Sequence, residues 1–153
     1  IAKNREYAQL FTSLFRIRKI HKTYLAIAHG KIIDKSRTLI DNLITFDNGK
    51  KNIQKAISHL KVLDYSDKYT LVELHPITGR KHQLRKQLYN IGHPIFGDNK
   101  YYISNRKKEF KKKDKKLMLH AFKIKFMIKN IKYNFEAKYS EHFKNIIKKI
   151  KLD

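Results

Sequence analysis

The 153-residue sequence contains no cysteine and no tryptophan, two prolines, five glycines, and 13 acidic residues against 36 lysines and arginines. Each shortage excludes something. Without cysteine there is no disulfide, no thiolate nucleophile and no thiolate-held metal, a composition expected of a chain working in the reducing cytoplasm. The shortage of acid leaves a net charge of +23, far beyond what solubility requires. A field of that sign collects polyanions, of which an RNA backbone is the first candidate and an anionic membrane surface the second. No apolar run approaches the roughly 18 residues needed to span a bilayer, and no charged leader followed by an apolar segment opens the sequence, so no membrane association is expected. Glycine-rich phosphate loops, GxSxG elbows and HExxH helices are all missing, and the eight histidines form no ligand-spaced cluster, so no cofactor and no metal are expected. What is present is one domain's worth of chain, 41% hydrophobic, with no internal repeat.

Hydrophobic spacing assigns the elements. Ile1 and Ala2 read as the tail of a strand. Tyr7, Leu10, Phe11, Leu14 and Phe15 then follow the three-four spacing of an amphipathic helix over 4–18, with its apolar stripe expected in the core. Arg16, Arg18, Lys19, His21 and Lys22 cluster at its exit, where cations suit the negative helix end and could equally hold phosphate. Strands are expected over 23–29, 38–41, 53–64, 69–75, 117–128 and 132–137, with turns at 47–50 and at Asn130. Within 69–75 the alternation puts Thr70, Val72 and Leu74 on one side and Leu71 and Glu73 on the other. The lysine-rich stretch 105–116 reads as a solvated loop. A last helix begins after Ser140, a suitable cap, and packs through Phe143, Ile146, Ile147 and Ile150. The sum is an α+β domain built on a mainly antiparallel sheet with packed helices.

The chain is organised around the stretch from Leu74 to Asp98, which holds both prolines and three of the five glycines. Pro76 and Gly79 punctuate the end of a strand, and Thr78 can cap a helix over 81–91. On that helix Leu84, Leu88 and Ile91 share one stripe and His82, Arg85 and Tyr89 another, so one side packs and the other presents chemistry. Arg80 at the first turn lies beside free backbone N–H groups, a natural anion seat. Tyr24, taken alone, reads as a core aromatic with a satisfied hydroxyl.

Thr78-Gly79-Arg80-Lys81-His82-Gln83-Leu84-Arg85 followed by Gly92-His93-Pro94-Ile95-Phe96-Gly97-Asp98 resembles the TGR-x-HQ-[IL]-R and GHP-I-x-GD blocks of the RluA-type RNA pseudouridine synthases. Lys22-Thr23-Tyr24-Leu25-Ala26 with His29-Gly30, and Leu119-His120-Ala121, are similar to two further blocks of that family in the same order. Over 53–64 the likeness is loose. The resemblance implies isomerisation of specific uridines in structured RNA, ribosomal RNA of the large subunit ahead of transfer RNA, with no cofactor. It implies that Tyr24 lies against the target base and that Arg85 pairs with the catalytic aspartate. Arg80, His82 and Gln83 would shape the site, and Arg16, Arg18, Lys19, Lys22 and Lys81 would bind RNA.

The family's aspartate belongs to an HRLD-x-x-TSG block just before a segment like Ile1-Ala2-Lys3-Asn4, and these residues contain no such block. The expectation is therefore an N-terminally truncated catalytic domain over 1–153, inactive alone, with Arg85 lacking its partner. Asp98 is expected to fix a turn rather than act as nucleophile. Missing strands would leave an open sheet edge and uncovered apolar surface. The alternative is a non-catalytic RNA-binding remnant or split gene product.

Overall fold

The computed structural model describes residues 1–47, 49–101 and 116–150. In chain order the elements are α1 (Arg5–Arg16), β1 (His21–His29), β2 (Ser36–Asp47), β3 (Lys50–Tyr65), β4 (Tyr69–Pro76), α2 (Gln83–Asn90), β5 (Leu119–Ile128), β6 (Ile131–Glu136) and α3 (Glu141–Lys149). The strands form one six-stranded sheet in the order β2-β3-β4-β1-β5-β6, with every neighbouring pair antiparallel. This is the α+β, antiparallel architecture that the hydrophobic spacing implies.

β1 and β4 lie at the centre, and there the one-sided alternation fails. Leu25 to Ala28 and Tyr69 to Val72 are buried without a break, because helices cover both faces and each face must exclude water. Register separates the two faces. Tyr24, Leu74 and Leu60 lie opposite one another, as do Ala26, Val72 and Val62, so these residues share the face carrying α2, whose Leu84 and Leu88 are buried. Leu25 is opposite His120, and the His120 ring meets Tyr139 and Phe143 at 5.7 Å, placing α3 on the other side. Ser140 caps α3 by accepting a hydrogen bond from the Phe143 N–H at 3.2 Å.

Several expectations need correcting. Ile1 and Ala2 are in no strand. α1 stops at Arg16 because Arg18 takes the left-handed conformation (φ 58°) and the Lys19 N–H turns back to the Leu14 carbonyl, so Arg18 and Lys19 lie beyond it. Its apolar stripe is not core. Phe11 meets Phe126 edge-on at 5.3 Å, yet no α1 residue is buried and Phe15 remains half exposed. The strand expected over 38–41 runs through 12 residues, paired with β3 along its full length. Gly49 has the positive φ that this hairpin requires, while Asn48 lies outside the described residues. The lysine-rich 105–116 stretch, Lys116 excepted, lies outside them too. At the other hairpin, Lys129 and Asn130 both have positive φ (48° and 62°), the turn that best matches strand twist. Among the described residues β6 is an edge strand, with Ile131 and Phe135 more than half exposed.

Candidate active site

The junction between β4 and α2 is stitched to the sheet by side-chain amides rather than by a helix cap. The Ile77 N–H donates to the Ile57 carbonyl at 2.9 Å, and the Thr78 hydroxyl accepts from the Ile57 N–H at 2.9 Å. Gln83 is the hub. Its carbonyl accepts from the Thr78 hydroxyl (2.7 Å) and the Arg80 N–H (3.0 Å), and its NH₂ donates to the Ile57 carbonyl (3.0 Å) and Ser58 Oγ (2.8 Å). Ser58 donates onward to Gln87 at 2.7 Å, and the Gln87 NH₂ reaches the carbonyls of Leu39 and Ala56. Thr78, Gln83, Ser58 and Gln87 are all buried, so this chain of amides and hydroxyls meets the requirement that buried polar groups be paired.

The stitching changes what the sequence predicts for the turn. Thr78 does not cap the helix, which begins at Gln83 behind His82, a residue held at φ 55° and ψ 30° with no side-chain cap bond. His82 therefore does not share a regular helical face with Arg85 and Tyr89. The Arg80 N–H belongs to Gln83, and its guanidinium Nε donates to the Lys55 carbonyl at 3.3 Å. It is not seated at a free helix end.

Arg85 has a partner within the chain. Its Nε and Nη2 donate to the two oxygens of Asp98 at 2.8 and 2.6 Å, and the Asp98 side chain is 1% exposed. The expectation of an unpartnered arginine is corrected. Asp98 also fixes the following turn, as expected, by accepting from the N–H groups of Lys100 (2.9 Å) and Tyr101 (3.0 Å). Burial alone would raise its pKa, but these hydrogen bonds and the guanidinium charge together outweigh burial and hold it below the ordinary carboxylate value. Gly97 (φ 76°) carries the chain into this turn with Lys116 packed on its α-carbon; a Cβ there would lie 2.1 Å from the Lys116 carbonyl oxygen.

Lys22 and Tyr24, two residues apart on β1, face the same side as the turn. With Thr78, Arg80, His82 and Arg85 they line a cavity of about 330 Å³. Among the described residues three cations line it and no carboxylate does. Burial lowers the Lys22 pKa. Lys22 is thereby separated from the other expected RNA-binding residues. Lys19 lines a different depression with His21 and Lys125, Arg16 and Arg18 line neither, and Lys81 is exposed on the turn. A second cavity of about 280 Å³ on the β5–β6 side shares Lys22 and Tyr24 with the first.

Tyr101 is the residue that sequence reasoning missed. Its hydroxyl lies 2.8 Å from His82 Nδ1, and the Arg85 guanidinium carbon sits 5.1 Å from its ring centroid. A half-buried arginine on a packing helix calls for a carboxylate, and the only signal for Tyr101 is its place three residues after Asp98.

The motif residues thus converge on one cationic cavity against a six-stranded antiparallel sheet, and a model of the RNA pseudouridylate synthase family matches residues 1–90. The chain belongs to that family. The RNA pseudouridylate synthase likeness extends to relatives and solved structures. A tRNA pseudouridine synthase C from Haemophilus ducreyi is 35% identical over 82% of this chain and 59% of its own length. A ribosomal large subunit pseudouridine synthase C from Rickettsia bellii is 36% identical over 95% of this chain and 51% of its own. The solved structure titled Human RNA Pseudouridylate Synthase Domain Containing 4 superposes with a TM-score of 0.82 at 26% identity, covering 98% of this chain and 69% of that one. The chain spans about half to three-fifths of the length of these curated relatives.

Proposed function

We propose that this chain is part of a catalytic domain that converts specific uridines of structured RNA into pseudouridine in the cytoplasm, with large-subunit ribosomal RNA as substrate ahead of transfer RNA. The nucleophilic aspartate is supplied from outside these 153 residues. One observation carries the reading: among the described residues, the cavity assembled from the family motifs is lined by Tyr24, His82, Lys22, Arg80 and Arg85 and by no carboxylate.

The reaction is an isomerisation. The bond from the ribose to N1 of uracil breaks, a bond to C5 forms, and the proton leaving C5 is balanced by one gained at N1. It needs a carboxylate at the ribose, a group that moves a proton, and room for a base taken out of its stack. Tyr24 stands where a base in the cavity would meet it. Arg85 spends two donors on Asp98 and keeps Nη1 for a second carboxylate, which a cationic surround holds ionised. The exposed cations Arg16, Arg18, Lys19 and Lys81 give RNA a backbone footing.

The test is the pseudouridine content of RNA from cells lacking the gene, complemented with the complete reading frame or with residues 1–153 alone. Restoration by the complete frame only is expected. Restoration by the 153-residue chain would overturn the placement of the aspartate, and restoration by neither would favour an RNA-binding remnant, which a cavity with no carboxylate among the described residues also suits. In the complete frame, Arg85→Met is expected to lower turnover by about a hundredfold or more; conversion at the wild-type rate would show that Arg85 has no part in the reaction.

A further inference from the structure

Two donors in the cavity are held from behind by one short turn. Asp98 occupies Arg85 Nε and Nη2, so the guanidinium cannot roll without losing a bidentate pair. Tyr101 has three attachments in the same place: its N–H to Asp98, its ring face to the Arg85 guanidinium, and its hydroxyl to His82 Nδ1. Among the described residues no hydrogen bond is made by Arg85 Nη1 or His82 Nε2, and both side chains line the cavity.

We propose that Asp98 and Tyr101 are positioning residues of this site: together they fix the roll of the Arg85 guanidinium and the tautomer of the His82 ring, leaving Arg85 Nη1 and His82 Nε2–H as the two donors offered to the cavity. The inference rests on the synthase reading for its catalytic consequence and on geometry for the rest. Burial raises the Tyr101 pKa, so the phenol keeps its proton. Burial first, and then the charges of Arg85, Lys100, Lys81 and Lys86, lower that of His82, so its ring is neutral near pH 7 and carries one N–H. A phenol is the stronger donor of the two, and its proton has no other acceptor among the described residues. Donation to Nδ1 places the ring proton on Nε2. His82 owes its position to a left-handed backbone (φ 55°) just ahead of α2, a conformation that costs a histidine free energy and that a positioned functional side chain explains.

Two arms test this. In the 153-residue chain, ¹⁵N spectra of labelled histidine are expected to show His82 protonated on Nε2 at neutral pH. Tyr101→Phe, which removes a donor to the neutral ring, is expected to raise the His82 pKa and mix its tautomers. A wild-type proton on Nδ1, or a His82 pKa unmoved by Tyr101→Phe, overturns the tautomer assignment; should the variant not fold, the wild-type spectrum decides. In the complete reading frame, Tyr101→Phe and Asp98→Asn are expected to lower kcat roughly tenfold to a hundredfold with KM little changed. For Tyr101→Phe the acid limb of kcat moves up in pH with the His82 pKa. A merely structural role would lower melting temperature and leave that limb in place, and an unmoved kcat and limb would overturn the catalytic consequence. A complete frame inactive on every RNA would sink the synthase reading, while the spectra still decide the geometry.

Discussion

Replacing Gln83 probes the stitching of the turn with two variants whose costs depend differently on pH. Gln83→Leu removes all four hydrogen bonds of the amide. Three of its partners have recourse. The Thr78 hydroxyl also lies 3.4 Å from the Ile57 carbonyl, that carbonyl accepts from Ile77 N–H, and Ser58 keeps Gln87. Only the Arg80 N–H is orphaned, at about 1–3 kcal/mol, and the weakened remainder adds roughly 1 kcal/mol, for a total of about 2–4 kcal/mol. Gln83→Glu keeps the acceptor for Thr78 and Arg80 but turns an acceptor toward the Ile57 carbonyl in a side chain that is almost fully buried. At pH 8 it should cost more than leucine, on the order of 3–5 kcal/mol. Protonation restores one donor, so the folded-state pKa of this carboxyl lies above its unfolded value near 4.3. The penalty is therefore small below that value and grows as pH rises through the folded one. Urea unfolding of both variants against wild type at pH 5 and pH 8, with the exchange rate of the Arg80 amide, reads both effects. A leucine cost below 1 kcal/mol, or a glutamate cost equal at the two pH values, would refute the assignment of Gln83 as the hub.

Gly97→Ala should cost well over 3 kcal/mol or abolish folding, because its methyl would enter the Lys116 carbonyl at a positive φ; Gly49→Ala, at similar φ with nothing within 4 Å, should cost only about 1–2 kcal/mol. Melting temperatures compare the two. Acid should weaken the protein in two steps. The lowered His82 pKa makes stability fall as pH drops below about 6.5, and the lowered Asp98 pKa contributes stability that is present above about 3.9 and lost as pH falls through the depressed value. Asp98→Asn should remove the lower step from an acid titration of unfolding free energy; its persistence would assign that step to another carboxylate.

Much of the fold was legible because strands and helices advertise their period. β1, β3 to β6 and α3 fall within a few residues of where alternation and three-four spacing put them. β2 is longer than its sequence pattern suggests because its outward residues include Ile40, Ile44 and Phe46, which obscure the alternation that identifies a half-buried strand. α1 looked like a core helix because amphipathicity states which face wants burial and not whether anything buries it. At the site, the motif residues Tyr24, Arg80, His82 and Arg85 were legible by type and order, and the structure brings them to one cavity. The Arg85–Asp98 pair was not, since a contact across 13 residues depends on a tight backbone turn at Gly97. The resemblance implies a site-shaping role for Gln83, and its four bonds tie the turn to the sheet; the amide–hydroxyl chain through Ser58 and Gln87 has no sequence signature, because its partners come from β2, β3, the turn and α2.

The close approach of Gly97 to Lys116 has an evolutionary reading. Residues 97 and 116 meet there backbone to backbone, a neck with no room for a side chain. Asp98 and Tyr101 sit on the near side of the neck, anchored to Arg85 and His82. A side chain at position 97 would force this neck open and draw Asp98 and Tyr101 away from Arg85 and His82, so selection on the donors in the cavity acts as well on a residue that has no side chain and touches neither donor.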